Sequence, residues 1–173
     1  DLYLIKLDSS GNLIWNSIIG NSAADIPYSA IESSNGDFII TGLTSNGIGS
    51  ADFLFLRVNS LGNLLSNKNI GSSEYEYGED IILRNNGNGF AIIGSVNNPS
   101  SNKLNTLVLL TDSFGTPTLA RSIGGLFYNN IGHNIHSVYN GYLIAGSTEY
   151  SSKDALLFRM RENGYVEWYK HYG

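Results

Sequence analysis

The chain has 173 residues, enough for one sizeable hydrophobic core, with 42% hydrophobic residues, 14% charged residues and a net charge of −5. A negative balance with no basic block argues against a nucleic-acid or anionic-membrane surface. The lack of cysteine closes disulfide and thiolate-metal readings, and no apolar stretch reaches the length of a membrane span. Charged residues fall well below the usual ~25%, and Asn, Ser, Gly and Tyr replace them, a composition of many tight turns joining β-strands.

In chain order, Asp1 opens an apolar run, Gly11 marks a turn, and a second run leads to Gly20. The same signals return at Asp52, Gly62 and Gly71, at Asn105, Gly115 and Gly124, and at Asp154, Gly164 and Gly173. A repeat of about fifty residues built of short strands points to radially arranged four-stranded sheets. In the second copy the strand-like runs are about Asp52 to Val58, Leu64 to Ile70, Glu79 to Arg84 and Gly89 to Ser95. Ser34-Asn35-Gly36, Asn85-Asn86-Gly87-Asn88 and Tyr139-Asn140-Gly141 supply hairpin turns. Gly42, Gly94 and Gly146 are expected at equivalent places, each ending a second strand. Helix periodicity is missing, because the runs are short, β-branched or aromatic, and broken by glycine.

The first run of each repeat is apolar on both strand faces: Leu2 and Leu4 alternate with Tyr3, Ile5 and Leu7, as Phe53 and Phe55 do with Leu54, Leu56 and Val58. Two buried faces are what a sheet experiences between two neighbouring sheets. One slot carries a cation, Lys6, Arg57 or Arg159, with Leu110 in the third copy; a cation there is expected to snorkel or to pair with a carboxylate.

The segment Lys6-Leu7-Asp8-Ser9-Ser10-Gly11-Asn12-Leu13-Ile14-Trp15 resembles the tryptophan-docking repeat of quinoprotein-like and kelch-like β-propellers, with Asp three before Gly and Trp four after. Arg161, Gly164 and Trp168 keep the spacing without the Asp, whereas Asn59, Gly62 and Ser66, and Asp112, Gly115 and Leu119, lack the Trp. The resemblance covers the whole chain and implies an all-β fold, a β-propeller segment of four-stranded antiparallel blades. By analogy with kelch-like blades the inner strands are about Tyr28 to Ser33, Glu79 to Arg84 and Ile135 to Tyr139. The layout is then an outer half-blade at 1–20 and blades at 21–71, 72–124 and 125–173, about 3.5 blades in all.

Because propellers use roughly 4–8 blades, the missing ones are expected from the rest of a longer chain or from a second copy, two copies giving about seven blades. A start without Met at a repeat boundary suggests a trimmed piece of a longer protein, and the resemblance suggests an extracellular or cell-surface one.

Ligands of propellers usually meet the loops that enter the inner strands. Here these are Asn21 to Pro27, Ser72 to Gly78 and Gly125 to Asn134, and the candidate rim residues are Asp25, Tyr28, Tyr75, Glu76, Tyr77, Phe127, Tyr128 and His133. Tyrosines mixed with carboxylates suit a sugar or a peptide; the alternative is that the rings pack between blades and the acids cap turns. The acids Glu74, Glu76, Glu79 and Asp80 follow no calcium-loop pattern, and His133, His136 and His171 have no zinc-ligand spacing, so no metal is expected. No nucleophile elbow or phosphate loop occurs, and no catalytic residue or cofactor is assigned. Three functions stay open: a non-catalytic scaffold or adhesion module binding protein or carbohydrate, a carbohydrate-active hydrolase or lyase using rim carboxylates, and a subunit of an extracellular filament or sheath.

Overall fold

The computed structural model describes residues 1–20, 22–149 and 152–173, so Asn21, taken above as the start of a rim loop, lies outside the described residues. Strands β1 (Leu2–Leu7) and β2 (Leu13–Ile19) form a two-stranded sheet. Three four-stranded antiparallel sheets follow. The first joins β3 (Asp25–Glu32), β4 (Phe38–Thr44), β5 (Asp52–Val58) and β6 (Leu64–Ile70). The second joins β7 (Glu76–Leu83), β8 (Phe90–Asn98), β9 (Lys103–Thr111) and β10 (Pro117–Ile123). The third joins β11 (Asn129–Val138), β12 (Gly141–Glu149), β13 (Lys153–Arg161) and β14 (Val166–Tyr172). Each sheet keeps its strands in chain order, and no helix occurs among the described residues. The chain is a β-propeller segment of about 3.5 blades.

The hydrophobic core is three layers, one at each blade junction. Leu2, Ile19, Ile40, Leu54, Leu56 and Val58 fill the first, between the half-blade and the next sheet. Phe53, Phe55, Ile81 and Ile92 anchor the second, and Val108, Leu110, Ile135, Phe158 and Met160 the third. Strand β5 is therefore buried on both faces, as its doubly apolar sequence requires, with Arg57 the single half-exposed exception. Strand β1 is buried on one face only: Tyr3, Ile5 and Leu7 are exposed, whereas their counterparts Leu54, Leu56 and Val58 are buried against the preceding sheet.

Each cation of this slot has a partner, within its own blade for Arg57 and Arg159 and on the next blade for Lys6. Arg57 pairs with Asp37 at 2.6 Å, Arg159 with Glu167 at 2.7 Å, and Lys6 Nζ lies 4.8 Å above the Phe38 ring. In the third repeat, where Leu110 fills the slot, Arg84 reaches across the junction to Glu162 at 3.2 Å.

Outer hairpins carry the repeat signature. The side-chain oxygen of Asp8, Asn59 or Asp112 accepts hydrogen bonds from the backbone N–H groups two and four residues on, closing the turn. A further hydrogen bond from the Asn12 side-chain amide at 2.9 Å, together with the backbone ones, holds the Asp8 carboxyl below the usual carboxylate range, and the Thr116 N–H does the same for Asp112. At the first junction Trp15 lies over the turn of the next blade: its Nε1 donates to the Ser60 carbonyl at 2.9 Å, and a Cβ on Gly62 would sit 2.8 Å from the indole. Trp15 and Trp168 occupy the same register, opposite Lys6 and Arg159 respectively.

Inner strands meet through a carboxylate. Asp80 in β7 accepts from Ser29 Oγ of β3 at 2.8 Å and from the Ile135 N–H of β11 at 3.1 Å. The inner strands begin several residues earlier than the sequence suggests, at Asp25, Glu76 and Asn129, because each contains a bulge that the linear pattern does not mark.

Candidate functional site

The bulges build the site. In β3 the ladder to β4 skips Tyr28, in β7 the ladder to β8 skips Glu79, and in β11 the ladder to β12 skips His133. Each bulge sits beside a pair whose second-strand member is glycine: Pro27–Gly42, Gly78–Gly94 and Gly132–Gly146. The glycines are equivalent, as expected, but they lie inside their strands rather than at the ends. A Cβ there would stand 2.0, 1.9 and 2.0 Å from the carbonyl oxygens of Ile26, Tyr77 and Ile131, so only glycine lets the backbone of the bulged strand approach. A bulge leaves its extra residue out of the ladder and re-aims the side chain.

Three re-aimed side chains, Tyr28, Glu79 and His133, thereby belong to adjacent blades at one level of the inner strands. Tyr28 and Tyr77 rings lie 6.1 Å apart, and Tyr77 and Tyr75 rings 5.6 Å apart, edge-on. Glu79 Oε1 is 3.7 Å from His133 Nδ1, and His133 Nε2 shares a hydrogen bond with Ser147 Oγ at 3.1 Å. Burial raises the Tyr77 phenol above its ordinary pKa, and the nearby Glu79 charge adds to the shift. Burial likewise raises Tyr28, helped by Tyr75 and Glu79. The outcome is a strip of protonated phenols ending on a carboxylate–imidazole pair, half-exposed and rich in both donors and acceptors.

The sequence candidates divide accordingly. Tyr28, Tyr75, Tyr77 and His133 come together. Asp25 starts β3 opposite Thr44 and is half-buried, three residues before the bulge at Tyr28. Glu76 leaves the exposed rim: it is 3% exposed and accepts a short hydrogen bond from the Ser72 hydroxyl. Phe127 and Tyr128 pack 6.1 Å apart in the loop before β11. Tyr128 there lines a different feature, a groove of about 510 Å³ between β10 and β14 shared with Arg121, Tyr169 and His171. Glu79 is the residue that rim reasoning missed, since it was placed as an inner-strand acid. Its signal is a place 15 residues before Gly94, near the 14 from Tyr28 to Gly42 and the 13 from His133 to Gly146.

The acidic group does not converge. Glu74 accepts from Asn97 at 3.2 Å, Asp80 serves Ser29 and Ile135, and Glu79 faces His133. His136 pairs with Leu143 in the ladder, while the His171 ring contacts Tyr169 at 4.8 Å. Among the described residues no three His, Asp or Glu side chains are grouped to hold a metal ion.

No protein-family model matches the chain, and no curated protein matches it. Among solved structures it is similar to an α-L-arabinofuranosidase from Clostridium thermocellum, with a TM-score of 0.53 and 10% sequence identity over 84% of this chain. The chain spans 50% of that enzyme's length. At this identity the likeness concerns the fold, and that fold is a β-propeller.

Proposed function

We propose that the chain is a non-catalytic binding segment of an extracellular or cell-surface propeller, taking a neutral carbohydrate on the strip formed by Tyr28, Tyr77, Glu79 and His133. The observation that carries the reading is the shared placement of the three bulges, which present side chains from three blades to one ligand. Phenol faces suit the apolar faces of a sugar ring, and Glu79, His133 and Ser147 suit its hydroxyls. The indole of Trp15 seated on the Gly62 turn supports a blade of the tryptophan-docking type.

A carbohydrate-active enzyme is the second reading, favoured by the fold likeness to an arabinofuranosidase. Glycoside hydrolysis ordinarily uses two carboxyl groups at a set separation. Around Glu79 the nearby acids are committed: Asp80 to two inter-blade hydrogen bonds and Glu76 to a buried position. That commitment supports binding over turnover.

Calorimetric titration with soluble neutral oligosaccharides, arabinose-containing ones included, tests the proposal. Binding is expected to weaken by about tenfold or more in Tyr28→Ala and in Glu79→Gln, with thermal stability retained. No heat with any sugar would overturn it. Release of new reducing ends that Glu79→Gln abolishes would replace it with the enzyme reading.

A further inference from the structure

The groove between β10 and β14 differs in chemistry from the strip on the inner strands. It encloses about 510 Å³ where the second and third complete sheets meet. The chain carries a net charge of −5, yet among the described residues no carboxylate lines this groove. Arg121 lines it from β10, and its guanidinium makes no hydrogen bond or ion pair with any described residue. Tyr169 lines it from β14. Its ring is fixed by a stack on Phe158 at 5.8 Å, an edge contact with His171 at 4.8 Å, and a 2.6 Å hydrogen bond from its hydroxyl to the buried Asn130 amide oxygen. Ser122 Oγ accepts from Asn105 at 3.4 Å, which leaves its O–H to donate.

The preceding junction holds the same groove in a different form. There it is a recess of about 230 Å³, whose lining residues Glu76, Pro117 and Ala120 are the counterparts of Asn130, Val166 and Tyr169. The chain runs on past Gly124 into the next blade and leaves that recess open, so the opening belongs to the junction itself. Lys68, the counterpart of Arg121, donates to Thr116 Oγ1 at 3.2 Å. Between one junction and the next, a buried acid gives way to a neutral amide, a methyl to a phenol, and a satisfied cation to a free one. Packing requires none of these changes, because the smaller version already closes a junction. Together they convert an acid-bearing recess into one that favours a negative charge beside an apolar ring face.

We propose that this groove binds an acidic sugar, a hexuronate unit, with its carboxylate on the Arg121 guanidinium and its ring against Tyr169. A guanidinium presents parallel N–H donors that match the two oxygens of a carboxylate. The phenol ring suits the C–H face of a sugar, and Ser122 and the His171 imidazole suit its hydroxyls. The enclosed volume is that of a small-molecule pocket. An aromatic acid would use Arg121 and Tyr169 but would leave Ser122 and His171 without a partner, which favours the sugar. The site does not rest on the neutral-sugar strip, since Tyr28, Tyr77, Glu79 and His133 are not among the residues that line it.

Calorimetric titration with digalacturonate, with the neutral digalactoside of the same linkage and with benzoate tests the site. Digalacturonate is expected to bind at least about tenfold more tightly than either of the others. Its affinity should fall as salt is raised, because the contact is ionic. Arg121→Gln, a change at an exposed side chain of an outer strand, is expected to weaken binding by about tenfold or more, and Arg121→Lys to recover part of the loss. Tyr28→Ala disables the strip and should leave digalacturonate binding unchanged, so the two sites fail separately. No heat with digalacturonate, equal binding of the neutral digalactoside or of benzoate, affinity unchanged in Arg121→Gln, or binding lost in Tyr28→Ala would each overturn the proposal.

Discussion

Glu79 and His133 occupy the same bulge in neighbouring blades, and their side chains meet at 3.7 Å although the residues are far apart in sequence. The pair exists because both positions stand out of the β-ladder and are turned toward each other by the bulge. The bulge depends on the glycine across from it. Gly94→Ala would place a methyl 1.9 Å from the Tyr77 carbonyl oxygen, which backbone cannot accommodate without shifting. It is expected to destabilise the chain by about 3 kcal/mol, read by urea denaturation, and to abolish oligosaccharide binding even where the fold survives. Stability equal to the unmodified chain would show that the bulge is not held by Gly94.

Trp15 and Trp168 share a register but not a partner, so their truncation should differ. Trp15→Ala removes a ring seated on Gly62 and a hydrogen bond to Ser60, and a loss of about 3 kcal/mol is expected. Trp168→Ala is expected to lose less than about 1 kcal/mol. Chemical denaturation of both variants checks this; equal losses would mean that Trp168 is packed within its own chain.

Several phenols resist ionisation in the folded chain. Burial, together with a 2.6 Å hydrogen bond to Glu162, pushes Tyr142 above its ordinary pKa, and burial does the same for Tyr77 and Tyr169. In the unfolded chain these groups lose their protons near pH 10, so above that pH the unfolded state binds fewer protons and stability falls as pH rises. Below pH 10 the contribution is fully present. Melting temperatures measured from pH 8 upward should decline above about pH 10, and Tyr142→Phe should decline less steeply.

The pairing of Arg84 with Glu162 replaces, across a blade junction, the local pairs made by Arg57 and Arg159. Both side chains are largely covered, and Tyr142 donates to the same Glu162. Glu162→Gln leaves Arg84 without its countercharge, and a loss of about 1–3 kcal/mol is expected in thermal denaturation. A change within about 0.5 kcal/mol would assign the pair to the solvated surface.

Much of this architecture is legible in the sequence because blade geometry writes itself at fixed offsets. The turn chemistry of Asp8 to Gly11, the doubly apolar run around Phe53 to Val58 and the cation at Arg57 each report a local requirement that recurs in most of the repeats. The site is less legible. A bulge adds one residue to a strand without changing its residue types, so β3, β7 and β11 read as shorter strands preceded by loops. Tyr28 and His133 were reachable as aromatic or polar loop residues, whereas Glu79 looked like part of an acidic cluster. Glu76 was misplaced for a related reason: one residue before Tyr77 on a strand, its side chain turns into the blade junction. Strand alternation decides its burial, and alternation has no anchor until the strand start is known.

Asp80 gives the segment a property that simple stacking of repeats does not supply. In a linear array each unit touches its neighbours through one face at a time, and the ends can melt while the middle persists. Here a single carboxylate in the middle blade accepts from Ser29 on one side and from Ile135 on the other. Opening the middle blade releases both neighbours together, and loosening either neighbour strips the carboxylate of a donor. Cooperativity of unfolding is thereby concentrated in one side chain near the centre, and heat is expected to melt the three complete sheets in one transition that Asp80→Ala splits into separate steps.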